Sequence, residues 1–431
     1  ESHGGATDLW GDTWTVTDIN NSTFGTAFAA TKSNSETVSV DVISITVHYT
    51  LDTTPPTVVS INRDNPSPSG SASVSWTVTF SESVTGVDTG DFSLVQASGV
   101  KAATISSVTG SGTTWTVTAN TGSSSGTLGL NLVDNDSIVD ASSNKLGGTG
   151  NSNGNFTGQV YSIDKTNPYV QAIALTGTSP TNTSGNLSWT VTFTKAVTGV
   201  DAGDFALVAS GVTGAAISAV SGSGTTWTVT ASSGTGSGTL GLNLVDNDTI
   251  IDSTSNKLGG TGSGNGSFTG AVYTIDRTPP TVSSIARAGA NPASSDTVSW
   301  TVTFSESVTG VNSSDFALAI TNLTGAYVQS VSGSGTTWTV IANTGLCTGS
   351  CSLGLNLVDD DSIADTVGNT LGGTGGGNGN FTGAVYTISS TPPIAQWAMD
   401  DAAWNGTQNE VSDSNGAYPG TAGGGAAAIV G

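Results

Sequence analysis

Between residues 74 and 80 the chain alternates strictly. Val74, Trp76, Val78 and Phe80 are apolar, and Ser75, Thr77 and Thr79 between them are polar. A two-residue period predicts a β-strand with one face in a core and hydroxyls on the other. Trp115 and Val117 predict a second inward row, and Leu128, Leu130 and Leu132 a third, with Gly129 and Asn131 facing out. Ser111-Gly112 lies between two such runs and recurs as Ser223-Gly224 and Ser334-Gly335, where a hairpin has to turn. No stretch carries a helical period. About seven short strands in roughly 110 residues, separated by Gly, Asn and Ser, predict an antiparallel Greek-key sandwich.

The same words return in the same order. Thr54, Thr166 and Thr278 open three copies with a period of 112 residues. A period of that size is a whole domain repeated, too long for one turn of a solenoid. Prolines mark the seams at Pro55-Pro56, Pro168, Pro279-Pro280 and Pro392-Pro393, stiffening short linkers. The expected fold is all-β, with three tandem Greek-key immunoglobulin-like β-sandwiches over 53–164, 165–276 and 277–390. Residues 1–52 and 391–431 stand outside the repeat and are expected to be incomplete sandwich segments. Ser39 to Tyr49 alternates as a long strand, and Trp10, Trp14, Phe24 and Phe28 precede it at spacings that suit short strands and turns.

Composition narrows the function. The chain has 431 residues, a net charge of −23 and only nine Lys and Arg, scattered along its length. Such a chain offers no electrostatic footprint for nucleic acid or an anionic membrane. It also lacks an apolar run long enough to insert into a bilayer. No signal peptide opens it, which fits either a cytosolic protein or a mature, trimmed one, and the trimmed reading is the one expected.

Three motifs carry a resemblance. Thr-x-Pro-x-Val opens each copy. Thr-Gly-Val-Asp-x-x-Asp-Phe-x-Leu runs over 85–94, and Ile-x-Asp-x-x-x-Asn-x-Leu-Gly-Gly over 138–148. Residues 54 to 390 resemble the bacterial immunoglobulin-like repeats of large surface proteins and adhesins, which implies a stalk more than a chemistry. Trp397 to Asp401, Trp404-Asn405-Gly406 and Asp413 to Gly416 resemble the opening strands of a concanavalin A-like, laminin-G-type sandwich, and residues 1–52 the last strands of a jelly roll. The laminin-G resemblance implies glycan binding, although its binding loops are missing from this sequence.

The recurring constellation with candidate chemistry is acidic. Asp134, Asp136 and Asp140 are repeated as Asp246, Asp248 and Asp252 and as Asp359, Asp361 and Asp365. Asp-x-Asp-x-x-x-Asp gathers hard oxygen ligands of the kind Ca²⁺ takes, without the spacing or the bidentate Glu of an EF-hand. The competing expectation is that these residues cap turns through their own backbone. A second pair, Asp88/Asp91, recurs as Asp201/Asp204 and as Asn312/Asp315. Seam acids Asp164 and Asp276 recur too, with Ser389 as the third counterpart.

Cys347 and Cys351 are the only cysteines, and the two histidines, His3 and His48, lie in another domain, too few ligands for zinc. A disulfide pinning a hairpin tip is expected, and with it an oxidising, extracellular setting. No enzyme is expected. Two histidines leave little for a Ser-His-Asp arrangement. Acidic pairs occur in every copy, whereas catalytic sites are seldom repeated in each domain of a string. The Leu-Gly-Gly-Thr-Gly segments at 146–150, 258–262 and 371–375 lack the Lys and the strand–helix context of a phosphate loop, and read as long flexible loops. Trp76, Trp189 and Trp300, with Trp115, Trp227 and Trp338, are expected in cores rather than as sugar platforms. Sequons at Asn155, Asn265 and Asn380 are expected by chance in so Ser/Thr-rich a chain.

These readings converge on an extracellular structural protein at the cell surface. It is either a stiff acidic stalk or adhesin, or a filament subunit whose 391–431 segment completes the 1–52 sandwich of the next copy by strand addition. Its partners are then copies of itself or neighbouring domains of a longer chain. The alternative is a carbohydrate-binding adhesive module that recognises glycans through the terminal segments.

Overall fold

The computed structural model of the chain describes residues 16–19, 21–23 and 50–389. It divides into two compact units, Glu1–Thr166 with Thr254–Asn256, and Asn167–Ser253 with Lys257–Gly431. Near the N-terminus a four-residue helix, Val16–Ile19, stands between Trp14 and Phe24, where only strands and turns were expected. The expected strand at 39–49 and the laminin-G-like segment 391–431 lie outside the described residues.

The first unit holds one sandwich of seven strands: β1 (Val58–Arg63), β2 (Ser73–Phe80), β3 (Phe92–Ala97), β4 (Thr104–Ser111), β5 (Thr114–Asn120), β6 (Gly126–Leu132) and β7 (Phe156–Ile163). One sheet has the order β1-β2-β5-β4 and the other β3-β6-β7. Every pairing is antiparallel. This is the four-plus-three strand order of an immunoglobulin sandwich. β2 buries its alternate residues as its pattern predicts, and the β4–β5 turn falls at Gly112, whose φ of 64° needs no Cβ penalty.

The core centres on Trp76, fully buried, against Tyr161 of the opposite sheet, with ring centroids 5.0 Å apart and edge to face. Both polar handles are satisfied. Trp76 Nε1 donates to the Gln159 carbonyl at 2.8 Å, and the Tyr161 hydroxyl donates to the Ser75 carbonyl at 2.7 Å while accepting from the Asn65 N–H at 2.9 Å. The two sheets approach closely at Gly158, where a Cβ would lie 2.5 Å from Ile61 Cγ2.

The second unit holds two further sandwiches. The first of these comprises β8 (Val170–Leu175), β9 (Asn186–Phe193), β10 (Val197–Thr198), β11 (Phe205–Ser210), β12 (Ile217–Ser223), β13 (Thr226–Ser232), β14 (Gly238–Leu244), β15 (Ile251–Asp252) and β16 (Phe268–Ile275). The other comprises β17 (Val282–Arg287), β18 (Thr297–Thr309), β19 (Phe316–Thr324), β20 (Tyr327–Asn343), β21 (Leu346–Leu357), β22 (Ala364–Asp365) and β23 (Phe381–Ile388). The second sandwich repeats both strand orders, as β8-β9-β13-β12 and β11-β14-β16, while the third has β17-β18-β20, with β22 on β18, beside β19-β21-β23; Trp189–Tyr273 and Trp300–Tyr386 repeat the ring contact at 5.2 Å in each. Each sandwich has its own apolar cluster.

Two expectations about facing need correction. Trp115, Trp227 and Trp338 are only partly buried against their cores, with the indole N–H of each donating to a carbonyl of the adjacent hairpin turn. Gly129, expected to face out, is buried, because Val95 and Val160 on the flanking strands close over it.

Candidate functional site

The acidic residues fall into three separate jobs. Asp88 and Asp91 form a capping box around a 3₁₀ turn at Thr89–Asp91: Gly90 N–H donates to Asp88 Oδ1 at 2.6 Å, and Asp88 N–H donates to Asp91 Oδ2 at 2.8 Å. The other oxygen of Asp91 accepts from Ser137 Oγ, tying this turn to the 134–140 loop. Asp204 with Thr249, and Asp315 with Ser362, repeat the tie. Burial pushes the Asp315 carboxyl above its ordinary range, against the hydrogen bonds from Asn312 and Ser362.

Asp134 and Asp136 organise the glycine-rich segment. Asp134 Oδ1 accepts from Asp136 N–H at 3.1 Å and its Oδ2 from Gly154 N–H at 3.2 Å. Asp136, in the left-handed region at φ 69°, takes Lys145 Nζ at 3.0 Å and Gly150 N–H at 3.2 Å on Oδ2, while its Oδ1 is buried without a hydrogen-bond partner among the described residues. Asp246 and Asp248 repeat the arrangement through Gly266, Gly262 and Lys257. In the third sandwich Asp359 and Asp361 take Gly377, Gly379 and Gly375, and Thr370 stands where the lysine was. The segment expected to be a flexible loop is therefore tethered at several points, and Leu146, Leu258 and Leu371 anchor it in the cores. Asn155 and Asn380, both sequon residues, accept from the Asp134 and Asp359 N–H groups at 2.7 Å.

Asp140 does something else. Ile138, buried to 1%, packs into the core between Asp136 and Asp140, and the chain then runs beside Thr85. There Thr85 and Val139 exchange backbone hydrogen bonds, which sets Asp140 beside the segment carrying Glu82. Ser81 N–H donates to the Thr57 carbonyl at 2.9 Å, which brings in the lead-in residues 52–57, and Asn144 Nδ2 donates to the Asp52 carbonyl at 3.0 Å. Asp52, Glu82 and Asp140 consequently offer carboxylate oxygens within 4.8 Å of one another. Asp276, Glu306 and Asp365 do the same in the third sandwich, on the same scaffold of Asn369 Nδ2 to the Asp276 carbonyl and Ser305 N–H to the Thr281 carbonyl. Each cluster takes one residue of the predicted acidic sets and leaves the other two to the loop.

Burial first, then the charges of Asp52 and Asp140, push the Glu82 carboxyl above its ordinary range; burial, Asp276 and Asp365 do the same to Glu306. For Asp140 burial acts upward, but hydrogen bonds from the Asn144 side chain and from the backbone of 142–144 prevail and hold it below the usual carboxylate range. In the second sandwich the position of Glu82 and Glu306 is Lys195, whose ammonium pairs with the buried Asp252.

Asp52, Glu82 and Glu306 were missed in the sequence. The available signal was the substitution itself: an acid, a lysine and an acid at one position of three near-identical copies, each following an aspartate at the seam.

Cys347 and Cys351 form a disulfide, with Cα atoms 5.9 Å apart. It does not pin a hairpin tip. In β21 opposite β19, Leu323 pairs with Cys347 and Thr321 with Ser352, so the residues between form a bulge that the disulfide closes at its base. Four residues along a straight strand would separate the Cα atoms by about 13 Å. A shallow groove of about 300 Å³ beside Tyr273 is lined by Thr176, Thr181, Thr183, Asn186 and Leu187, hydroxyl, amide and apolar groups with no nucleophile–base pair among them. No helix among the described residues is long and apolar enough to cross a membrane.

Residues 52–157 match the family model of a bacterial Ig-like domain. No curated protein matches the chain. Among solved structures it is similar to domains 1–6 of the surface layer protein SbsC, at 15% identity and a TM-score of 0.26, covering 84% of this chain and 58% of that one. It is also similar to InvD of Yersinia pseudotuberculosis, at 12% identity and a TM-score of 0.27, covering 79% and 99%. Domains A168–A170 of titin give 10% identity and a TM-score of 0.24, covering 78% and 99%. The chain thus spans well under two thirds of the SbsC structure it matches. The matched stretch is the first of three copies; the first two carry the four-plus-three strand order of an immunoglobulin-like sandwich, and in the third β20 runs as one long strand, giving β17-β18-β20, with β22 on β18, beside β19-β21-β23.

Proposed function

We propose that the chain is an extracellular structural protein, a spacer of tandem Ig-like sandwiches that holds neighbouring domains of a longer chain away from a bacterial surface. The observation that carries this reading is repetition without specialisation. The same sandwich occurs three times, each around its own Trp–Tyr core, and most of the recurrent polar side chains are spent on holding loops and turns in place. The disulfide supports an oxidising setting. The match of residues 52–157 to a bacterial Ig-like domain supports the class of protein.

Negative-stain electron microscopy of the full chain tests the reading together with a glycan array. Separate particles that bind no glycan are expected. Filaments with a regular axial repeat would instead make the chain a polymer subunit, joined through residues 1–52 and 391–431. Saturable binding to a defined glycan would make it an adhesive module.

A further inference from the structure

We propose that the end of the third sandwich from which the chain leaves, marked by Leu346 and Tyr327, is a docking face for residues 390–431 of the same chain, and that its contact is apolar where the first two sandwiches use polar ones. The exit ends of those two sandwiches are already covered. Thr254–Asn256 belong to the first compact unit, where a Cβ on Gly70 would meet the Thr254 carbonyl oxygen at 2.1 Å and Asn256 Nδ2 donates to the Asp164 carbonyl at 3.1 Å. At the exit of the second sandwich, Asn369 Nδ2 donates to the Asp276 carbonyl at 3.1 Å, and a Cβ on Gly368 would lie 3.5 Å from Asn182 Nδ2. Each time, the residues that cover the exit come later in the same chain.

A cation just past the last strand completes both exits. Lys165 Nζ donates to the Gly70 and Ser71 carbonyls at 2.6 Å, and the Arg277 guanidinium donates to the Thr183 and Gly236 carbonyls. The uncharged Ser390 stands at that position after the third sandwich. Two other positions at the same end change in the opposite sense. Leu346 replaces Ser123 and Thr235 and is 74% exposed, and Tyr327 replaces Thr104 and Ala216 and is 55% exposed. Single exposed apolar residues need no explanation. These two arrive together, at one end, in the one copy that is followed by residues outside the repeat. Leu346 pairs with Thr324 beside the bulge that Cys347 and Cys351 close, and Gly345 lies against residues 324–326, just before Tyr327.

The occupant follows from where the chain goes next. Cys351 pairs with Ile388, so the chain leaves β23 beside the bulge. It then reaches Ile394, Trp397, Met399 and Trp404, and no charged residue stands between Asp365 and Asp400. Nine extended residues span about 30 Å, enough to carry Trp397 from Ile388 back over Leu346. An uncharged, apolar stretch next to an apolar face buries surface with no charge to desolvate. The inference goes beyond the spacer reading and does not rest on it, because it concerns the third sandwich alone.

The test places a photo-reactive benzophenone amino acid at position 346 of the full chain and maps its cross-links by mass spectrometry, with isotope-labelled and unlabelled chains mixed. Links to residues 390–431 within one chain are expected. Links only between labelled and unlabelled chains would make the face a contact between copies and overturn the proposal. Links confined to the third sandwich would overturn it too. Chymotrypsin supplies a second readout on the full chain without the probe. Leu346→Thr with Tyr327→Ala copies the second sandwich, and cleavage after Trp397 and Trp404 should then be roughly ten-fold faster than in the wild type. Equal cleavage rates in the two proteins would contradict the docking.

Discussion

Lys195 and Asp252 form an ion pair whose carboxylate side chain is 1% exposed and whose lysine is 27% exposed. In the sister sandwiches a glutamate stands in place of the lysine and faces an equivalent buried aspartate. Removing the ammonium in Lys195→Ala leaves a buried carboxylate short of its counter-charge, at an expected cost of about 1–2 kcal/mol after allowance for the exposure of the lysine. Hydrogen–deuterium exchange under urea should show the loss in β9 to β15 and leave β1 to β7 unchanged.

The glutamates give the opposite sign. Glu82 and Glu306 have pKa values raised in the folded state, so each favours folding below its ordinary pKa. That contribution is lost as the pH rises through the raised value. Asp140, held low, works the other way: its contribution is present above its ordinary pKa and is lost as the pH falls through the lowered one. The Glu82→Gln/Glu306→Gln pair should therefore raise the thermal midpoint at pH 7 and leave it unchanged at pH 3, as read by scanning calorimetry.

Tyr161 joins the two sheets through one hydroxyl that serves both the Ser75 carbonyl and the Asn65 N–H. Tyr161→Phe keeps the ring against Trp76, strands the Asn65 N–H, and leaves the Ser75 carbonyl only the Asp64 N–H at 3.1 Å. A loss of about 1–3 kcal/mol is expected in the first sandwich alone, measured by chemical denaturation.

Asp134 tests the glycine-rich segment. Asp134→Ala frees the N–H groups of Asp136 and Gly154, which then have no side-chain acceptor. Limited proteolysis should cut between residues 147 and 154 in the variant, under conditions in which the wild-type segment survives. Equal resistance in the two proteins would mean that Leu146 alone holds the loop.

The disulfide closes a short ring, so its loop-entropy contribution is about 2 kcal/mol. The Cys347→Ser/Cys351→Ser pair should destabilise the third sandwich by no more than that amount. The first two should keep their transitions.

The fold was legible because its signals are local. Val74, Trp76, Val78 and Phe80 state their own period, and three copies repeat it with small changes. The acidic site was only half legible. Asp134, Asp136 and Asp140 look like one loop because they are adjacent in sequence, but the buried Ile138 parts them, and Asp140 meets Glu82 only through the Thr85–Val139 pairing. Nothing local announces that pairing. The Cys347–Cys351 bulge was misplaced for a similar reason: sequence separation is the same for a hairpin tip and for a bulge, and the register against β19 decides between them.

The central claim is that three self-contained sandwiches act as a mechanical spacer, and pulling single chains from their two ends with an atomic force microscope tests it most directly. The account predicts three unfolding events of similar size, each releasing roughly 350 Å of chain, as a domain of this period should. One cooperative event, or steps unrelated to the 112-residue period, would contradict it.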